Sequence, residues 1–124
     1  RVINPLLASG QVHGGVVQGL GQALYEHAVY DDDGQLVSGS FMDYAMPRAD
    51  QVADVAVDFN EVLDPNNELG VKGIGEGGAC AAPSAVVNAV LDAVACRGVE
   101  TIDMPMTPLR VWQALQEQDN RQSE

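Results

Sequence analysis

Apolar residues recur at helical spacing in three stretches of the chain and in near alternation in a fourth. Val12, Val16, Leu20, Ala23 and Leu24 fall three to four residues apart and predict a helix over residues 5–28, with Ser9 as its N-cap if it starts late. Gly10, Gly14, Gly15, Gly19 and Gly21 oppose that helix, at about 1 kcal/mol each relative to alanine. Glycine at such density makes sense where another backbone, or a flat ligand, lies directly against the helix. Val29-Tyr30 and Gln35-Leu36-Val37 flank Asp31-Asp32-Asp33-Gly34, and the Asp-Gly pair predicts a hairpin. Residues 41–45 are short and apolar and end before Pro47. Residues 52–59, Val-Ala-Asp-Val-Ala-Val-Asp-Phe, give the clearest strand.

Asp64-Pro65-Asn66-Asn67 is loop chemistry. A second helix is expected to open at Pro83, a favoured first position, and to close at Arg97-Gly98 with a cation in the last turn and a C′ glycine. Residues 99–104 read as a last strand. Thr107-Pro108 caps a final helix through Gln118, with Trp112 and Leu115 on its buried face, and residues 119–124 read as a frayed polar tail. The expected architecture is α+β, with helices packed on a small mixed or antiparallel sheet.

The second helix changes this picture. Ser84, Asn88 and Asp92 form one narrow polar stripe, and nearly every other position is Ala, Val or Leu. A helix apolar on most sides belongs inside something large, and a domain of 124 residues buries only about two thirds of its surface. The chain starts Arg1-Val2-Ile3-Asn4-Pro5, with neither an initiator Met nor a signal-peptide pattern, and reads like the middle of a longer polypeptide. Aromatic residues make up 5%, so any core is built from Val, Ala and Leu. A net charge of −12 argues against nucleic acid or an anionic membrane as partner. No run is expected to reach the roughly 18 apolar residues that a membrane helix needs. Cys80 and Cys96 flank one helix, about 24 Å apart at its rise per residue, too far for a disulfide. Both are expected to be buried thiols, which fits a reducing, cytoplasmic setting.

The candidate chemistry gathers in Val71-Lys72-Gly73-Ile74-Gly75-Glu76-Gly77-Gly78. One carboxylate, Glu76, stands among four glycines at the mouth of an apolar helix. Backbone N–H groups can approach a ligand closely there, and a helix start adds unpaired N–H groups and partial positive charge. Glu76 is then either a tuned base or a plain acid favoured by the helix dipole, and local physics alone favours the second. Gly73-x-Gly75-x-x-Gly78 meets the dinucleotide-binding pattern on paper. No β-rich run immediately precedes it, and Glu76 would face the pyrophosphate, a costly pairing of like charges. A Walker lysine–hydroxyl pair is absent, and no serine lies in a nucleophile elbow. The acidic triplet at 31–33 lacks the alternation and the later Glu of a calcium loop, since Ser occupies position 40. His13 and His27 are too far apart to share a metal, and the cysteines have no second pair for zinc. Gln18 reads as a solvent-facing helical residue as readily as a ligand contact.

Taken in order, several segments resemble one family. Gln11-Val12-His13-Gly14-Gly15-Val16-Val17-Gln18-Gly19-Leu20-Gly21-Gln22-Ala23-Leu24 is similar to a signature of the molybdenum-binding large subunits of the xanthine oxidase, aldehyde oxidoreductase and aerobic carbon monoxide dehydrogenase group. Met42-Asp43-Tyr44-Ala45-Met46-Pro47-Arg48-Ala49, the stretch from Gly70 to Gly78, Asn88-Ala89-Val90-Leu91-Asp92-Ala93 and Ile102-Asp103-Met104-Pro105-Met106-Thr107-Pro108 resemble its bacterial members, with order and spacing kept.

The resemblance implies that residues 1–124 are the C-terminal part of a molybdopterin-binding domain, inactive in isolation, whose partners are the remainder of the large subunit and iron–sulfur and flavin subunits. It implies hydroxylation of an aldehyde, an N-heterocycle or a similar small molecule with water as oxygen source. Glu76 would be the catalytic base beside molybdenum. Gln18 would contact the molybdopterin, expected in its cytosine dinucleotide form, and the backbone of Lys72, Gly73 and Gly75 would lie along it. FAD and 2Fe–2S centres would sit on partner domains or subunits. Many relatives carry proline where Glu68 stands, and the xanthine enzymes carry prolines at the positions of Gly77-Gly78, which points away from purines and towards the bacterial aldehyde or carbon monoxide type. The alternative is a stand-alone, non-catalytic binding or assembly module derived from that domain.

Overall fold

The computed structural model describes residues 1–122. Three α-helices carry it: α1 Pro5–Leu24, α2 Gly77–Ala95 and α3 Pro108–Gln122, with a short 3-10 turn at Ala49–Gln51. Asn4, not Ser9, caps α1: its side chain accepts from the Leu7 N–H at 3.1 Å, and Pro5 takes the first helical position. The helix ends at Leu24, four residues short of the expected Ala28, where the N–H groups of Tyr25 and Glu26 both turn back to the Gly21 carbonyl at 2.9 and 2.8 Å.

α1 and α2 form the centre of the fold, and glycine lets them meet backbone to backbone. A Cβ placed on Gly15 would stand 2.9 Å from the Ala79 nitrogen and the Gly78 Cα. Four residues on, one placed on Gly19 would stand 2.5 Å from the Ala82 Cβ and 2.8 Å from the Pro83 ring. From the other side, a Cβ on Gly78 would run into the Val12 carbonyl oxygen and lie 2.7 Å from the Val16 nitrogen. The propensity penalty read in the sequence is thus the condition for this contact.

The same contact explains why α2 begins at Gly77 and not at Pro83. Gly78, in the first turn, is the residue pressed against α1, and Pro83 falls inside the helix with its ring towards Gly19. Its missing N–H removes one rung of the ladder. α2 ends at Ala95 with Cys96 as its C-cap, and Gly98, at φ +80°, closes the turn with its N–H on the Ala95 carbonyl at 2.9 Å. Arg97 then reaches both carboxylate oxygens of Asp119 on α3, at 2.6 and 2.8 Å. That carboxylate holds the Arg97 guanidinium above its ordinary pKa, first through the hydrogen bond and then through charge. α3 accordingly continues four residues past the expected end at Gln118. Residues 123–124 of the expected frayed tail lie outside the described residues.

Among the described residues the helices of the expected α+β arrangement are present and its sheet is not. The hairpin is present, as a single antiparallel bridge between Tyr30 and Leu36 with Gly34 at φ +79°. Residues 52–59 keep the alternation that marked them as a strand: Val55, Val57 and Phe59 are half-buried while Ala56 and Asp58 are exposed. Among the described residues no strand lies beside them to pair with. The tie there is His13, whose Nε2 donates to the Val55 carbonyl at 2.8 Å. Residues 99–104 likewise have no ladder. They anchor through Val99, which is buried, and lead to Met106, 2% exposed, whose N–H donates to the Ala23 carbonyl at 2.7 Å.

The buried apolar residues are small in number and size: Ala23, Ala82, Val94, Val99 and Met106. Trp112, expected inside, is 57% exposed, because the face of α3 that carries it looks onto an open groove. Cys80 and Cys96 are exposed free thiols, not buried ones, since α2 turns most of its circumference outward. By length and composition α2 is also long and apolar enough to cross a membrane, contrary to the sequence expectation.

Candidate active site

Glu76 sits at the N-cap of α2 with helical backbone angles, φ −96° and ψ −6°. Its carbonyl accepts the N–H groups of Ala79 and Cys80 at 3.0 and 3.1 Å, and its side chain makes no capping hydrogen bond. The carboxylate is exposed. Two residues on, Gly78 is pressed into α1, so the crossing of the two helices fixes where Glu76 stands.

The run before it is open. Lys72, Gly73 and Gly75 are exposed, and a Cβ placed on either glycine would meet nothing within 4 Å. Among the described residues nothing takes up the backbone N–H of Lys72, Gly73 or Gly75, and Lys72 has no ion pair. Such a strip of free donors and one free cation suits an anionic, flat ligand lying along the chain. Gln18 is exposed on α1 between Gly15 and Gly19, the two residues that meet α2. The structure thus ties Gln18 and Glu76 to one helix pair without direct contact between them.

Two apolar hollows flank the acid. Val12, Val16, Leu20, Gly77, Ala81 and Val86 line one of about 370 Å³. Val2, Ile3, Leu7, Val71, Lys72 and Ile74 line another of about 340 Å³. A further groove of about 550 Å³ lies away from Glu76, between Leu24, Val90, Val94, Met106, Val111 and Trp112. Open apolar surface on this scale is characteristic of faces that meet a protein, membrane or ligand. Among the described residues, no group of three or more His, Cys, Asp or Glu side chains is placed to hold a metal ion. The acidic turn is occupied by its own backbone: Asp31 Oδ1 accepts from the N–H groups of Asp33 and Gln35 at 3.1 and 2.8 Å.

Two polar contacts near these elements had no reading in the sequence. The Tyr44 hydroxyl donates to Glu26 Oε2 at 2.8 Å and fastens the 40–48 loop to the end of α1, where Gly21 leaves room for Pro47. This bond, with some burial and the Glu26 charge, pushes the Tyr44 phenol above its ordinary pKa. Asn67, nine residues before Glu76, holds both backbone polar groups of Val71 at 3.0 Å. An Asn ahead of a turn glycine is a weak signal for the second; a partner 18 residues away left none for the first.

Residues 1–53 match the model of the molybdopterin cofactor-binding domain. The chain is 44% identical over 117 residues to the 6-hydroxypseudooxynicotine dehydrogenase complex subunit gamma of Paenarthrobacter nicotinovorans, covering 94% of this chain and 15% of that protein. It is 35% identical over 115 residues to the carbon monoxide dehydrogenase large chain of Hydrogenophaga pseudoflava, covering 93% and 14%. Among solved structures it superposes on quinoline 2-oxidoreductase from Pseudomonas putida 86 with a TM-score of 0.88 and 43% identity, over 93% of this chain and 15% of that one. These matches place the chain in the family of molybdenum-binding large subunits of molybdopterin-dependent oxidoreductases, the xanthine oxidase and carbon monoxide dehydrogenase group. It spans about 15% of the length of the relatives it matches.

Proposed function

We propose that the chain contributes the catalytic glutamate, Glu76, and part of the cofactor-binding surface of a molybdenum hydroxylase or dehydrogenase. One observation carries this reading: an unpaired carboxylate follows directly on a strip of unpaired backbone donors, and the face around both is apolar and open. When bound, the molybdenum–molybdopterin group, in its cytosine dinucleotide form, supplies the two-electron oxidation of a small molecule with water as oxygen source.

The residues of this chain do the rest. The donors of Lys72, Gly73 and Gly75, with the Lys72 ammonium, meet the anionic parts of the cofactor. The Gln18 amide, both donor and acceptor, meets its polar edge. Glu76 takes a proton at its carboxylate from the water-derived oxygen as that oxygen attacks an electron-poor carbon. Covering the two hollows would exclude water from the carboxylate. The remainder of the large subunit is the cover, and it also supplies strands to residues 52–59, whose alternation awaits a ladder. Electrons leave through 2Fe–2S and FAD centres on partner domains or subunits, in the cytoplasm. An N-heterocycle is the favoured substrate, because identity to quinoline 2-oxidoreductase, 43%, exceeds that to the carbon monoxide enzyme, 35%.

The test is Glu76→Gln in the assembled enzyme. Turnover should fall at least about 100-fold, the contribution of a positioned base, with molybdenum content unchanged. Turnover equal to the parent would leave the chain as a non-catalytic binding or assembly module.

A further inference from the structure

The strip that precedes Glu76 is free along its length, yet one end of it is held tightly. The Val71 N–H donates to Asn67 Oδ1, and Asn67 Nδ2 donates to the Val71 carbonyl, both at 3.0 Å. A side-chain amide here acts as a strand partner one residue long, and its orientation is fixed because each Val71 group accepts only one end of it. Around this clamp the loop is closed on itself. The Gly70 N–H donates to the Asn67 carbonyl at 3.1 Å, the Asp64 N–H to the Gly70 carbonyl at 3.2 Å, and the Asn66 N–H to Asp64 Oδ1 at 2.7 Å. Gly70 has φ +66°, where a side chain would be strained and would press on Leu63. The next fixed point is the Ile74 carbonyl, which accepts the Gly77 N–H at 3.0 Å as α2 begins. Residues 72–73 therefore run unsupported between two anchors, Asn67 on one side and α2 on the other.

We propose that Asn67 is a positioning residue: by clamping both backbone polar groups of Val71 it sets the path of residues 72–75 and, through them, their register against the ligand that Glu76 serves. This rests on the proposed function of Glu76. Asn67 reaches no reacting atom itself. Its loss leaves α2 docked on α1 through Gly78, so the fold and the cofactor remain while the donor strip loosens. A misplacement of about 1 Å in such a strip is enough to lower turnover about 100-fold.

The turn provides its own rescue. Residues 67–70 form a turn closed by the Gly70 N–H on the Asn67 carbonyl, with Glu68 at its second position. Proline is favoured there, and among the described residues nothing takes up the Glu68 N–H, so a proline would break no hydrogen bond. Glu68→Pro should stiffen the loop by fixing its backbone and stand in for the clamp.

The experiment uses the assembled holoenzyme with Asn67→Ala, Asn67→Ala/Glu68→Pro and Glu76→Gln, and reads kcat, KM, molybdenum content and amide hydrogen exchange over residues 68–76. Asn67→Ala should lower kcat about 10- to 100-fold with KM and molybdenum content held, and should speed exchange in that segment. The added Glu68→Pro should restore most of both losses. The proposal is overturned by a parental kcat in Asn67→Ala, by loss of molybdenum together with activity, or by a proline that restores neither readout. If Glu76→Gln is inactive while Asn67→Ala is parental, only the clamp fails; if Glu76→Gln is fully active, the reading of the site fails instead.

Discussion

Gly78→Ala adds one methyl group at the tightest point of the α1–α2 crossing. The new carbon would collide with the Val12 carbonyl oxygen, lie 2.7 Å from the Val16 nitrogen and lie 3.0 Å from the Gly15 carbonyl carbon. All three neighbours are backbone atoms of a regular helix, so none can rotate away, and the helices must separate by roughly 1 Å. Overpacking of this kind costs about 1–3 kcal/mol. Helix propensity offsets little of it, because position 78 lies in the first turn. Gly14→Ala is the internal control: it lies inside α1 with nothing within 4 Å of the new carbon, and should gain about 0.5–1 kcal/mol from propensity alone. Thermal unfolding of the chain, followed by circular dichroism, separates the two. At about 3–5 °C per kcal/mol for a chain of this size, Gly78→Ala should melt about 3–15 °C lower than the parent and Gly14→Ala a few degrees higher. A Gly78→Ala melt equal to or above that of the parent would refute backbone contact at the crossing, and with it the account of why α2 begins at Gly77.

Two further outcomes follow from contacts away from the site. The raised Tyr44 pKa reflects a phenol that donates to Glu26, so this bond stabilises the fold below the ordinary tyrosine pKa of 10.0 and is lost as pH rises through the higher folded value. In a background with Tyr25→Phe and Tyr30→Phe, an ultraviolet titration should place Tyr44 above 10.0 and return it towards that value in Glu26→Gln; equal curves would show that the carboxylate is not its partner. Trp112, the one tryptophan, is 57% exposed on the open groove, so the chain alone should emit as a water-exposed indole and be quenched by an aqueous quencher. A blue-shifted, unquenched emission would mean that the groove closes on itself.

Much of the helical framework was legible in the residues. The spacing of Val12, Val16 and Leu20 marked α1, the Thr107-Pro108 pair marked the start of α3, and Asp33-Gly34 marked the hairpin, because each is a local preference that needs no distant partner. The candidate site was legible as a run of residue types: a lone acid after glycines at a helix start. Its neighbours were not. The helix starts at Pro5 as its spacing predicts, so Asn4 is the cap and the conditional late start at Ser9 does not arise.

The sequence by itself determined which segments are helical and which residue types gather at the candidate site, since periodicity, capping and side-chain type are properties of neighbours along the chain. Only the tertiary structure decided that α2 starts six residues before Pro83, that the 52–59 segment has no strand partner among the described residues, and that Trp112, Cys80 and Cys96 face outward. The reason is the same in each case. A backbone that touches another backbone, a strand that needs a ladder and an apolar face that needs a cover all depend on what lies across from them, and that is not written in the local pattern.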